Sequence, residues 1–146
     1  MPNCSFHHII MSEQALIQKE VLARLSGTGL TVGQPKILEY LSEHDGAGQK
    51  EIAGGCRIEP ATLTSLLNRM EASGLVERRM LNGNRRNSFV FLTEKGMEKA
   101  LPVRAAFAEI DEIAFTGFSA KERKVFMDML LRIYENSLQH SSGHEI

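Results

Sequence analysis

The sequence contains no tryptophan, and its seven Phe and two Tyr make aromatics only 6% of 146 residues, so the core it builds has to be aliphatic. Cysteine is scarce too. Two residues, Cys4 and Cys56, cannot staple a chain of this length, and the start Met-Pro-Asn-Cys-Ser-Phe-His-His lacks the basic and apolar regions of a secretory leader. Both therefore read as thiols in a reducing cytoplasm. Long apolar runs are missing: stretches such as Ile9 to Met11 and Phe89 to Leu92 fall far short of the roughly 18 residues of a membrane span, which excludes a membrane partner. Charge of one sign is missing as well. Seventeen Lys plus Arg against eighteen Asp plus Glu leave a net charge of -1, and that balance taken alone argues against a polyanionic partner such as nucleic acid.

The chemistry of turnover is also lacking. No Ser-His-Asp order, glycine-rich phosphate loop or His-Glu zinc motif occurs, and the paired carboxylates Asp111 and Glu112 are adjacent on a helix and diverge. Neighbouring histidines such as His7 and His8 point about 100° apart on a helix and do not share one ion. The chain is expected to be no enzyme and to hold no cofactor and no metal.

What is present is hydrophobic periodicity. Residues 5 to 25 form an amphipathic helix on Phe6, Ile9, Ile10, Leu16, Ile17, Val21, Leu22 and Leu25, and Thr31 to Gln34 offer a capping box for a second helix with Ile37, Leu38 and Leu41 inward. Gln49 to Cys56 is a short helix and Arg57 to Glu59 a turn. Pro60 suits the first position of the next helix, which runs to about Ser73. Plotted at 100° per residue, it puts Leu63, Leu66, Leu67 and Met70 on one side and Ala61, Thr64, Ser65 and Asn68 on the other, with Thr62 and Arg69 at the edge. Gly74 is a left-handed cap. Val76 to Met80 and Ser88 to Leu92 are strands around an Asn82-Gly-Asn84 turn, a two-stranded hairpin that must lean on the helices before it. Thr93 caps a long helix to about Phe115 with Pro102 inside as a kink. Ser119 to Glu122 is a second capping box, before a last helix with the stripe Val125, Phe126, Met129, Leu130, Ile133, Tyr134 and Leu138.

Helix, short helix, turn, polar-faced helix and hairpin is the order of a winged helix-turn-helix. The fold class is mainly α (α+β), with a two-stranded wing and N- and C-terminal dimerisation helices. Thr64, Ser65 and Asn68 carry donors and acceptors for base edges, Arg69 can fork onto guanine or phosphate, and a small Ala61 lets the backbone approach. A merely solvated face would more naturally use Lys, Glu or Gln, which are better helix formers.

From Leu30 to Gly96 the chain resembles the MarR/SlyA family of bacterial transcription regulators. The resemblance is carried by Leu30-Thr31 with Gln34, Thr62-Leu63-Thr64-Ser65, Met70-Glu71-Ala-Ser-Gly74-Leu75-Val76, Asn84-Arg85-Arg86 and Leu92-Thr93-Glu-Lys-Gly96. It implies a sequence-specific regulator, a repressor in first instance, that binds a pseudo-palindromic site on double-stranded DNA as a homodimer. By position, the helix 60 to 73 reads the major groove and Arg86 reaches the minor groove, with Ala61, Thr62, Thr64, Ser65, Asn68, Arg69, Arg78, Asn84, Arg85 and Arg86 as the contact set. Residues 31–96 would be the DNA-binding part, 1–30 and 97–140 the dimerisation part, and 141–146 a disordered tail. Many members carry aspartate before the two wing arginines. Asn84 stands there and accepts a hydrogen bond without the charge.

The resemblance also implies an effector, either an oxidant at Cys4, near where hydroperoxide-sensing relatives keep a reactive cysteine, or a small aromatic or phenolic ligand near Met11, Tyr40, Met70 and Phe107. Cys56 reads as a buried small hydrophobe. The alternative function is a winged-helix protein-interaction module without a DNA target. Local charge favours DNA. Residues 57–95 hold seven basic side chains (Arg57, Arg69, Arg78, Arg79, Arg85, Arg86, Lys95) and four acidic ones (Glu59, Glu71, Glu77, Glu94), a net +3 between two flanks of -2 each.

Overall fold

The computed structural model describes residues 4–81 and 84–141, the side chains of 81–87 excepted. The chain forms nine elements among the described residues: α1 Phe6–Arg24, α2 Gln34–Glu43, β1 Ala47–Gly48, α3 Gln49–Cys56, α4 Pro60–Ala72, β2 Val76–Leu81, β3 Asn84–Leu92, α5 Glu94–Ala114 and α6 Ala120–Gln139. They divide into two compact units, one ending at Ile110 and one beginning at Asp111.

In the first unit the aliphatic core expected from the lack of aromatics is present. Ile37, Leu38 and Leu41 of α2, Ile52 of α3, Leu63, Leu67 and Met70 of α4, and Val90 of β3 are all fully buried in one cluster. Each such side chain contributes on the order of 1.5–3 kcal/mol relative to exposure. Val21 and Leu25 at the end of α1 join that cluster, as do Ala100, Val103, Ala106 and Ile110 of α5. The first helix and most of the fifth thus share the interior of the winged helix.

The start of α2 differs from the expected capping box. Gln34 does return its side-chain oxygen to the Thr31 amide, at 3.2 Å. The N-cap, however, is Gly33 at φ +90° with no side-chain bond. Pro35 in the first turn carries no donor to be capped, so only half the box forms. Ser119 and Glu122 form a complete one at α6, with both reciprocal bonds present.

The sheet has three strands rather than two, in the order β1-β3-β2 and antiparallel throughout. Ala47 pairs with Val90 and Gly48 with Phe89 on one edge; Val76 pairs with Leu92 and Arg78 with Val90 on the other. Asp45 accepts from the Leu92 amide at 2.8 Å, holding the end of β3 beside β1. The hairpin therefore leans on the helices through a strand that Ala-Gly alone does not announce. β3 also starts earlier than expected, at Asn84, and the register shifts between Met80 and Leu81. Asn82 and Gly83, the centre of the expected turn, lie outside the described residues, as do 142–146 of the expected tail.

Helix α5 begins where Thr93 accepts from the Gly96 amide at 3.0 Å, and it carries Pro102 inside. In the second unit Phe115 makes edge contacts with Phe118 and Phe126, and Arg123 lies 4.5 Å over the Phe115 ring while pairing with Glu112 at 2.8 Å. No residue of α6 is buried. Among the described residues no helix is long and apolar enough to cross a membrane.

Candidate nucleic-acid interface

α3, the turn Arg57 to Glu59 and α4 make the helix-turn-helix. The turn closes with Arg57 in the left-handed region at φ 54° as the cap of α3, while Pro60 opens α4 and Gly74, at φ +78°, follows its end. The predicted division of α4 is observed: Leu63, Leu66, Leu67 and Met70 are buried, and Ala61, Thr62, Thr64, Ser65, Asn68 and Arg69 are all exposed. Six of the expected contact residues thus share one open helix face.

Hydrogen bonds then distinguish members of that face. The Thr64 hydroxyl donates to the Pro60 carbonyl at 3.0 Å and accepts from Gln49 Nε2 at 2.7 Å. Its single proton is spent inside the protein, which leaves its methyl group and an acceptor lone pair for a partner. Asn68 Oδ1 accepts from Arg78 Nη2 at 2.6 Å. Among the described residues Ser65 and Arg69 have no side-chain partner.

Arg78, one of the expected DNA contacts, lies largely enclosed by the protein. Its side chain is only 7% exposed. The guanidinium donates to both Glu71 oxygens, at 3.2 and 3.4 Å, and to Asn68, while its backbone N–H also bonds Glu71. Three of the guanidinium's N–H groups, on Nε and Nη2, bond Glu71 and Asn68 and tie β2 to the last turns of α4. Its neighbour Arg79 is open, paired with Glu77 at 2.8 Å and stacked 4.0 Å from the Phe91 ring. Asn84, Arg85 and Arg86 lie on β3 by their backbone, and their side chains lie outside the described ones.

Gln49 and Glu71 are the residues that reading the chain missed. Their role depends on partners 15 and 7 residues away, respectively, and no local pattern encodes that. An Asn on a helix face followed by an Arg early in the next strand is the one available signal for the bond between Arg78 and Asn68.

The effector candidates scatter. Met11 is exposed on α1, whereas Met70 is fully enclosed in the core. Tyr40 and Phe107 are partly buried against that core, and Tyr40 stacks on His44 with ring centres 4.4 Å apart. Burial raises the Tyr40 hydroxyl above its ordinary pKa. Cys56 is buried as expected, and desolvation pushes its thiol up to about 11. At neutral pH it stays protonated and unreactive. Cys4 is exposed. Among the described residues no group of three metal-ligating side chains comes together.

The MarR family profile matches residues 30–88. The chain is 30% identical over 105 residues to the transcriptional regulator HosA of Escherichia coli, covering 71% of this chain and 77% of that one. It is 35% identical over 101 residues to the HTH-type transcriptional regulator TtmR of Methylorubrum extorquens, covering 69% of this chain, and spans about half of that relative's length, 51%. A MarR family structure from Listeria monocytogenes, solved complexed with 26mer DNA, superposes with a TM-score of 0.85 over 99% of this chain and 100% of that one, at 19% identity. That last likeness establishes the fold.

Proposed function

The chain belongs to the MarR family, and from that premise we propose that it is a sequence-specific DNA-binding transcriptional regulator, a repressor, acting in the cytoplasm as a homodimer on a pseudo-palindromic promoter site. The observation that carries the reading is the α4 face: small polar residues lie exposed along one side of a helix whose other side is fully buried. Such a face suits the major groove, which presents donors, acceptors and methyl groups rather than charge. The wing strand with Arg85 and Arg86 supplies the phosphate and minor-groove contacts. Support also comes from the Listeria structure, whose partner is DNA.

A gel-shift titration at several salt concentrations tests this. Binding to a selected operator should weaken with a log-log slope steeper than about -4 as counterions are released. A slope near zero would sink the reading, and cellular activity that stays intact after charge reversal of Arg85 and Arg86 would point instead to a protein partner.

Release by an effector is part of the same reading. Cys56 is closed to oxidants and Met70 lies in the core, so Cys4, Met11, Tyr40 and Phe107 are the candidates that remain accessible in part. A small phenolic acid that binds the folded state should raise the melting temperature, because only ligands preferring that state do so. Equal melting with a panel of phenolic acids removes that effector class.

A further inference from the structure

On the proposed reading that α4 meets DNA, we propose that Arg78 fixes the amide of Asn68 so that this residue enters the groove as a hydrogen-bond donor and selects guanine. Asparagine in the major groove is ordinarily the reader of adenine. It gives its N–H to N7 and takes the N6 amino proton on its oxygen. That code requires the oxygen and the nitrogen of the amide to face the base together.

In this structure the oxygen is occupied. Asn68 Oδ1 lies 2.6 Å from Arg78 Nη2. The assignment of oxygen and nitrogen in an amide is normally open to a flip. A guanidinium settles it, since it carries five donors and no acceptor, so the atom facing it must be the oxygen. Arg78 is itself immobilised by the carboxylate of Glu71 through bonds at 3.2 and 3.4 Å, and its side chain is 7% exposed. An amide oxygen already bonded to this cation is not free for a base, whereas the NH2 of the exposed Asn68 has no partner among the described residues.

The base that fits a free NH2 is the one with adjacent acceptors. Guanine offers N7 and O6 side by side, adenine offers N7 next to a competing donor, thymine offers a single O4 acceptor beside its methyl group, and cytosine offers only a donor. The cation beside the oxygen further disfavours approach of the adenine amino group. Glu71 and Arg78 are thus positioning residues for a base contact neither of them makes.

The test is operator selection from random DNA with the full-length protein. The position read by residue 68 is identified as the one whose preference flattens in N68A. At that position the unmodified protein should favour guanine over adenine by about 5-fold or more, the lower end for a good base contact. R78M keeps much of the apolar stem and removes the donors; it should shift the preference toward adenine while leaving other positions unchanged. An A·T pair at that position in either orientation overturns the proposal for the unmodified protein, and so does a G·C preference that a folded R78M does not move. Should R78M fold too poorly to bind, the comparison of the unmodified protein with N68A still decides the guanine assignment. Failure to enrich any sequence at all would instead sink the proposed function, so the two are told apart.

Discussion

Residues on the same helix face are not equivalent once their internal partners are counted. Thr64 has spent its proton on Pro60 and Asn68 its oxygen on Arg78, whereas Arg69 is exposed with no side-chain partner among the described residues. Arg69 therefore keeps its full fork for a guanine or a phosphate. The expected consequences of substitution differ accordingly. Arg69→Ala should cost about 1–3 kcal/mol, confined to operators carrying particular bases, if its fork is on a base edge. Arg86→Ala, on the wing strand, should weaken all sequences alike and flatten the salt slope by about 1 if it neutralises one phosphate. Paired gel shifts on cognate and scrambled DNA over a salt series separate the two. An Arg86→Ala variant that keeps the original slope would remove Arg86 from the interface. The same accounting leaves the net +3 of residues 57–95 unchanged, because the pairs Arg78–Glu71 and Arg79–Glu77 remove two charges of each sign. What remains is five basic side chains, Arg57, Arg69, Arg85, Arg86 and Lys95, against Glu59 and Glu94.

At the scale of elements, the C-terminal end of α4 is closed by Leu75, whose amide bonds the Met70 carbonyl, and by Thr93, which bonds Leu75 and Gly74. One of these closures is tight enough to test. Gly96, in the first turn of α5, lies so near the Leu75 carbonyl that an added Cβ would be 2.0 Å from its oxygen and 3.1 Å from its carbon. The obstacle is backbone, which cannot step aside as a side chain does. Gly96→Ala should destabilise the protein by about 1–3 kcal/mol, the range for overpacked sites. Gly54→Ala, in α3 where a Cβ meets nothing within 4 Å, should be neutral or stabilising by about 0.4–1 kcal/mol. Denaturant midpoints of the two variants measure this, and equal midpoints would contradict the steric argument. Much of this element layout was legible from the chain. The period of α4 placed its buried and exposed faces, and Gly48 with Cys56 bounded α3, because local patterns encode amphipathic helices. β1 was not legible. Its two residues, Ala47 and Gly48, have no strand signature, and their pairing with β3 is continued by Gly46, which bonds the Val90 carbonyl, and by Asp45, which accepts from Leu92. The same holds for the Thr31 box, displaced by Gly33, and for the bonds around Asn68, which join residues brought together only by folding. Helix faces are local information and hydrogen-bond partners are tertiary information.

At the scale of the whole molecule, the deciding feature is apolar surface left uncovered. On α6, Val125, Phe126, Met129, Ile133, Tyr134 and Leu138 are between 37% and 54% exposed; α1 separately exposes Phe6, Ile9, Ile10, Met11 and Leu16. Monomeric proteins rarely leave contiguous patches of this kind in water. With Met127 and Leu131 also exposed, the apolar residues of α6 form a broad continuous band around the helix rather than scattered residues. A second copy of the chain is the proposed cover, since a two-fold axis lets the same face meet itself. Ile133→Glu places a charge in the middle of that face without emptying any core site, because the residue is 37% exposed. Far-UV circular dichroism should therefore be unchanged, while sedimentation shifts from dimer to monomer. DNA affinity should fall with it, because a dimer engages its second half-site at the high effective concentration set by the first. The same logic fixes a control on the DNA. Two half-sites about one helical turn apart face the same side of the duplex, so inserting about five base pairs, half a turn, turns them to opposite sides. The unmodified dimer should then lose affinity to nearly the level of Ile133→Glu, whereas the variant should not notice the insertion. An unmodified chain that sediments as a monomer, or one indifferent to half-site spacing, would mean that the exposed stripes serve some other partner.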